Sequence, residues 1–248
     1  MEKFVDDGIV IKTSPTGESD LVVWILTRTR GIIRAFAKGA RGTKNRLHGA
    51  ASLFAYCSFS ITEKNNVFHV NEAEIKEIFF DLRGSLEKLT VAQYLCEVML
   101  KTVPDDNGDE IFLRIILNSL YFLCKSEKPW QQIKAVFELR MASETGYMPS
   151  LVACDDCGEY LSDIMYFDVG EGKLYCTECG KYKNLPDIPA AVVAAMRHIV
   201  FSPFEKMFAF ELTAELYPVL CRMTERYLSS CTRQTFRTLE YLKYSEGD

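Results

Sequence analysis

Two Cys-x-x-Cys pairs, Cys154 with Cys157 and Cys176 with Cys179, stand 18 residues apart, and no other feature constrains this chain as tightly. Two residues between cysteines let a tight turn aim both sulfurs at one ion, and the longer connection has room for a hairpin that returns the second pair to the first. The intervening "MYFDVGEGKLYC" reads as two strands around a Gly-Glu-Gly turn. Gly158 and Gly180 directly follow the two pairs, and both are expected at the positive φ of a knuckle turn. The four cysteines are therefore candidate ligands of one structural Zn2+, because four thiolates close its tetrahedral shell and leave no water to activate. A redox role fits poorly, since a thioredoxin-like pair belongs at a helix start in βαβ surroundings. The other five cysteines (Cys57, Cys96, Cys124, Cys221, Cys231) lie scattered in apolar segments and read as reduced, small hydrophobes.

The rest of the chain changes character near residue 80. Before it, "GIVIKT" (8–13), "LVVWILT" (21–27), "IIRAFAK" (32–38), "SLFAYCSFSIT" (52–62) and "VFHVNEAEI" (67–75) are short, rich in β-branched and aromatic residues, and separated by turn-forming stretches. In the fourth, Leu53, Ala55, Cys57, Phe59 and Ile61 alternate with Phe54, Tyr56, Ser58 and Ser60, the period of a half-buried strand. Five such strands suit a small closed barrel of the size and strand count of an OB-fold, although an SH3-like barrel or an open sheet has a similar pattern. After Asp81 the period becomes helical, in 85–100, 109–125 and 129–146, then from Pro189 through "AAVVAAMRHIVF", and again from Phe210 to Tyr244. Pro218 is expected to kink that last region or to mark the join of two helices. The expected class is a multidomain α+β chain: residues 1–80 a five-stranded OB barrel, and residues 81–248 a helical domain with a zinc ribbon inserted at about 150–183.

Charge is just as uneven. The net charge is −5, which opposes phosphate binding over the whole surface. Yet from Leu21 to Thr62 there is no acidic residue, while Arg28, Arg30, Arg34, Lys38, Arg41, Lys44 and Arg46 supply seven positive charges. On a strand, Ile32, Arg34, Phe36 and Lys38 share one face, so this face carries an aromatic as well as cations. It runs into "GARGTKNRLHG", a glycine-bounded stretch expected to be flexible enough to follow a nucleic-acid backbone. Cations that track phosphates, combined with aromatic surfaces for bases, hold single strands without sequence preference. Charge alone favours a merely solvated face; the shared aromatic and the glycine-bounded stretch move the weight, and these seven residues are the candidate nucleic-acid-binding set. Phe54, Tyr56, Phe59 and Phe68 are further aromatics of the barrel, some of which must fill it.

Signatures of catalysis are missing: the sequence contains no phosphate-binding G-x-x-x-x-G-K-[ST] loop, no H-E-x-x-H and no G-x-S-x-G. No stretch is apolar for long enough to span a membrane, and Met1 to Asp7 does not read as a secretory signal, so a cytoplasmic protein is expected.

The combination of "GIVIKTSPTGESDLVVWILTRTRGIIRAFAKGAR", then "FELRMASETGYMPSLVACDDCG", then "YCTECG" resembles the RecO family of bacterial recombination and repair mediators. The resemblance spans nearly the whole chain and is most specific at Gly17–Ser19, at "AKGAR" (37–41) and at "FELR…GY" (137–147). It implies an N-terminal OB-fold, a helical C-terminal domain with an inserted zinc ribbon, and no catalytic site. It further implies binding of single- and double-stranded DNA, annealing of complementary strands, contact with RecR and with the acidic C-terminal tail of the single-strand-binding protein SSB, and help in loading RecA, with a nucleoid-associated place in the cytoplasm. Arg34, Lys38, Arg41, Lys44 and Arg46 match the family's basic barrel surface. For the tail, which wants an apolar pocket rimmed by cations, Arg222, Arg226, Arg233, Arg237 and Lys243 are candidates. Two readings from other classes remain open at this stage: a zinc-ribbon module that docks proteins through the barrel, and a Cys-x-x-Cys oxidoreductase.

Overall fold

A computed structural model describes residues 1–104 and 108–245. The chain begins with five strands, β1 (Glu2–Thr16), β2 (Asp20–Thr27), β3 (Ile32–Ala37), β4 (Ala55–Lys64) and β5 (Val67–Ile78), which close into a barrel in the order β1-β2-β3-β5-β4. Closure depends on β1 serving two neighbours: Glu2–Ile9 pairs with β4 and Gly8–Thr16 with β2. A bulge between Val10 and Lys12 bends the strand from one ladder into the other. Gly8 belongs to both ladders, and a Cβ there would lie 2.6 Å from Ile25 Cγ2 and 2.9 Å from the Leu26 carbonyl oxygen, so the crossing needs glycine. The parallel pairing of β3 with β5 completes the barrel.

Side chains that alternate inward (Val23, Ile25, Ile33, Ala35, Ala37, Cys57, Phe59, Ile61) make one buried cluster. The fourth strand begins at Ala55 rather than at residue 52. Phe54 has φ 68°, which breaks the alternation before the strand starts and turns its ring inward. Phe54 is accordingly buried, as is Phe59.

The 38–54 segment between β3 and β4 is a series of turns, and it is not the loose loop its glycines suggest. Ala40, Leu47, Ala50 and Ala51 bury themselves in the barrel cluster. Asp20 Oδ1 accepts from the Gly39 amide (2.7 Å), the Ser19 carbonyl accepts from the Arg41 amide (3.0 Å), and Asn45 bridges the Lys38 carbonyl and the Leu47 amide. Alternating small apolar residues with exposed cations gives the segment a fixed inner side, so it caps the barrel while its charges face water.

Helices follow: α1 (Leu86–Thr102), capped by the Ser85 hydroxyl, α2 (Glu110–Lys125) and α3 (Trp130–Glu144). Next come β6 (Ile164–Asp168), β7 (Lys173–Cys176), the short α4 (Thr177–Gly180) and β8 (Asp187–Pro189), then α5 (Ala190–Phe201), α6 (Tyr217–Thr232) and α7 (Thr238–Ser245). Pro218 neither kinks a helix nor sits mid-way in one. It lies in the first turn of α6, where its missing N–H has no partner to lose. It thus marks the join of α6 with the short 3-10 helix Ala214–Leu216 before it, and a second join, ahead of α7, falls at Arg233, with φ 54°.

Two compact units result: Met1–Lys125 with Phe236–Asp248, and Ser126–Thr235. Strand gives way to helix at Phe79, but the first unit continues through α1 and α2 and takes α7 back from the end of the chain. Tyr94 of α1 meets Phe236 edge to face at 5.6 Å, and Glu97 of α1 accepts from the Arg237 and Thr238 amides at the start of α7. In the second unit α3 is buried from Gln132 to Ala142, and the three-stranded sheet β7-β6-β8 carries the ribbon.

Candidate functional site

The ribbon brings its four cysteines together. The Sγ atoms of Cys154, Cys157, Cys176 and Cys179 all lie within 4.8 Å of one another, with Cys157 and Cys176 at 3.6 Å. Zn–S bonds of about 2.3 Å in a tetrahedron put sulfurs about 3.8 Å apart, so the donor set fits a single tetrahedral ion. The hairpin that returns the second pair is β6–β7, with Met165 opposite Cys176. Its turn is held by Asp168 Oδ1, which accepts from the Gly170 and Glu171 amides. The two knuckles are tied by the Asp155 amide, which donates to the Leu174 carbonyl at 2.8 Å.

Only one of the two post-cysteine glycines is used as the sequence suggests. Gly158 has φ +79°, and its amide donates to the Cys154 carbonyl at 2.9 Å. Gly180 does not have a positive φ. It is required because a Cβ would come within 2.3 Å of the Tyr166 ring packed on the knuckle. Asp155 and Asp156 are exposed turn residues, paired with Lys173 (3.0 Å) and Lys183 (3.1 Å).

Electrostatics of the cluster favours bound cationic charge. Burial pushes the Cys154 thiol up, but the backbone amides of Cys176, Cys157 and Asp156 outweigh it and bring it down to about 6. Hydrogen bonding from Cys157 and Cys176 then pushes Cys179 well up. The four sulfurs thus compete for the same protons through mutual hydrogen bonds, and a divalent cation bound by four thiolates would replace that competition. By contrast burial alone pushes Cys57 up to about 12, in keeping with an inert core thiol.

On the barrel, the seven basic residues divide into two groups. Arg28 pairs with Glu110 at 3.0 Å, Arg30 pairs with Glu2 and with Glu63 while lying over Phe4, and Arg46 pairs with Glu72 at 3.1 Å. Those three cations are already partly neutralised. Arg34, Lys38, Arg41 and Lys44 are exposed and make no ion pair with a carboxylate among the described residues.

Register shows what the linear sequence hides. Lys12 opposes Trp24, and Trp24 opposes Arg34. The Trp24 ring takes the Lys12 ammonium at 4.7 Å and the Arg34 guanidinium at 5.4 Å from its centroid, two cation–π contacts in one row across three strands. In the next row Phe36 opposes His69, with rings stacked at 5.7 Å and 27°. The outer face of β1-β2-β3-β5 thus carries Lys12, Trp24, Arg34, Phe36 and His69, and Lys38 extends it into the cap. Lys12, Trp24 and His69 escaped the sequence reading because each comes from a different strand; only the barrel pairing brings them to the acid-free run. Tyr56 and Phe68 are half-buried elsewhere, the former beneath Lys76 and the latter edge-on to Phe4.

Of the C-terminal basic residues, Arg222 and Arg226 are exposed on α6 and Arg233 follows it, whereas Arg237 belongs to the first unit. The Lys243 side chain lies outside the described residues. No helix among the described residues is long and apolar enough to cross a membrane.

A closed five-stranded barrel with a basic and aromatic outer face, joined in one chain to helices and a four-cysteine ribbon, defines a class: OB-fold proteins with a metal-binding-capable knuckle. Within that class the family follows from comparison with known proteins. Residues 1–79 match the family model described as "Recombination protein O N terminal", and residues 83–240 match "Recombination protein O C terminal". The chain belongs to the RecO family. It is 32% identical to the DNA repair protein RecO of Acetivibrio thermocellus over 95% of this chain and 94% of that one. The proteins of the same name from Alkaliphilus metalliredigens and Caldicellulosiruptor saccharolyticus are 28% and 26% identical, each covering 96% of this chain and 97% and 96% of their own lengths.

Proposed function

We propose that this protein is a non-enzymatic mediator of DNA repair and homologous recombination, which binds single- and double-stranded DNA, anneals complementary strands and, with RecR, helps load RecA onto SSB-coated single strands. One observation carries the reading: the cations of the acid-free run that lack carboxylate partners share the barrel exterior with Trp24, Phe36 and His69. Complementary strands repel through their phosphates. A surface that neutralises part of each backbone, while leaving base edges free, lowers the cost of their encounter without bond-making chemistry. Five cations (Lys12, Arg34, Lys38, Arg41, Lys44) are placed to meet phosphates, for a slope of log K against log salt of about −3.5, at roughly −0.7 per contact on single strands.

The metal in this reading is one Zn2+ held by Cys154, Cys157, Cys176 and Cys179. When bound it supplies a cross-link and charge neutralisation, not catalysis. Contact with the SSB tail and RecR is part of the same proposal; the exposed apolar side chains of the second unit, among them Met148, Val152, Tyr160 and Phe201, support it as surface on which a partner can dock.

Salt titration of single-strand binding is the direct test. Charge reversal at Lys38 and Lys44 is expected to weaken binding and to flatten the slope by about 1.4, two contacts' worth; unchanged affinity and slope would remove the barrel from the binding role.

A further inference from the structure

The cap segment has a second side. On one side lies a cavity of about 400 Å3 with Lys38, Asn45, Arg46 and Asn71 in its walls, continuous with the strand face already described. On the other lies a separate cavity of about 430 Å3, where the cap meets the ends of β1, β2 and β5. Its apolar walls are Leu21, Ala40, Ala51 and Ile78, its cations are Arg41 and Arg83, and His48 joins them, with no acid among the lining residues. Phe80 stands at the rim, 59% exposed, and the Arg83 guanidinium lies over its ring at 4.6 Å. Among the described residues neither Arg41 nor Arg83 has a carboxylate partner; Arg41 gives one guanidinium nitrogen to the Glu18 carbonyl (3.0 Å). The His48 Nδ1 is held by the Ala40 carbonyl at 3.0 Å, which fixes the ring at the edge of the cavity.

Two unpaired guanidiniums over an apolar floor ask for a ligand with an anionic group attached to a flat or apolar body. We propose that this cavity is a second nucleotide subsite, in which one base of a single strand lies against Phe80 and the Arg83 plane while Arg41 and Arg83 meet its phosphates. The inference rests on the DNA-binding reading above and extends it. A nucleotide is favoured over an acidic peptide by continuity: Arg41 belongs to the same capping segment as Lys38, Lys44 and Arg46, so a strand leaving the outer face finds cations on both sides of the cap. The volume falls in the range of small-molecule sites, and bases stack on aromatic rings and on arginine planes.

The experiment uses the full chain, a fluorescent oligothymidylate, and the same oligonucleotide carrying 5-bromouracil for photo-cross-linking. Phe80→Ala and Arg83→Glu are compared with Lys38→Glu, which alters only the outer face; circular dichroism checks folding, which the exposure of Phe80 favours. The subsite predicts about tenfold weaker binding for each of the two cavity variants and a cross-linked peptide that contains Phe80. If Lys38→Glu weakens binding while both cavity variants bind as the native chain does and Phe80 is absent from the cross-links, the subsite is overturned and the outer face stands. If the native chain does not bind the oligonucleotide, the DNA-binding reading and the subsite fall together. Loss in the cavity variants of binding to an acidic peptide ending in phenylalanine, with oligonucleotide binding intact, would make the cavity a protein-docking site and overturn the proposal.

Discussion

Lys134 is only 1% exposed, yet it stays charged. Burial alone would lower its pKa, but Glu138 at 2.8 Å and Glu225 at 2.9 Å outweigh that and hold it above the ordinary lysine value. Glu138, wholly buried, also accepts from the Thr224 hydroxyl at 2.6 Å. Removing one partner from such a network leaves an uncompensated charge in the interior, whereas removing both is far milder. Lys134→Met is therefore expected to destabilise the second unit by about 3–5 kcal/mol in urea unfolding, with part of the loss restored in Lys134→Met/Glu138→Gln. Glycines give a sharper contrast. Gly158→Ala forces a left-handed backbone on alanine, whereas Gly180→Ala collides with Tyr166; a second change, Tyr166→Ala, removes the ring atoms at 2.3 and 2.7 Å but keeps the Tyr166 Cβ at 2.9 Å, so it should restore part of the stability lost in Gly180→Ala and leave Gly158→Ala as weak as before. The cysteine spacing was enough to point to the cluster, but not to this difference between its glycines, because the Tyr166 contact is made across the sheet. Phe54 escaped for a similar reason: alternation assigns a face only while the backbone stays extended.

At the scale of elements, the barrel and hairpin were legible because their inward residues alternate and their turns carry glycine or asparagine. What escaped was held together by distant partners. β8 is three residues long, preceded by Pro186 and ending on Pro189, with no pattern of its own; it exists because β6 offers a free edge. α7 joins the first unit because Glu97 caps it, accepting from the Arg237 amide and from the Thr238 amide and hydroxyl. Partial burial pushes the Glu97 carboxyl up, but Lys101, Thr238 and Arg237 together outweigh it and bring it down to about 2. A carboxyl depressed in the folded state stabilises above its unfolded pKa, near 4.3, and loses that contribution as pH falls toward 2. The stability gap between the native protein and Glu97→Gln should thus be full at pH 6 and shrink steadily below about pH 4; a gap that stays constant with pH would show that the carboxylate charge plays no part. The ribbon is expected to behave as a metal-dependent element: chelation should raise amide exchange in 154–180, and Cys157→Ser should do so without a chelator.

For the whole molecule, charge is partitioned with the fold. Residues 1–80 carry a net +2 and residues 81–248 a net −7, so the average field is mildly positive over the first stretch and negative over the second. The partition was readable from the sequence as a run without acids, and the resemblance pointed to the family. Which cations are free was not readable, because Glu2, Glu63, Glu72 and Glu110 reach Arg30, Arg46 and Arg28 only through the fold. The claim that this face brings strands together is tested most directly by the annealing rate of two complementary labelled oligonucleotides, bare and SSB-coated, at rising salt. The native chain is compared with one carrying Arg34→Glu, Lys38→Glu and Lys44→Glu. The account predicts acceleration by the native chain that declines with salt and is lost in the variant. Equal acceleration by both, indifferent to salt, would contradict it.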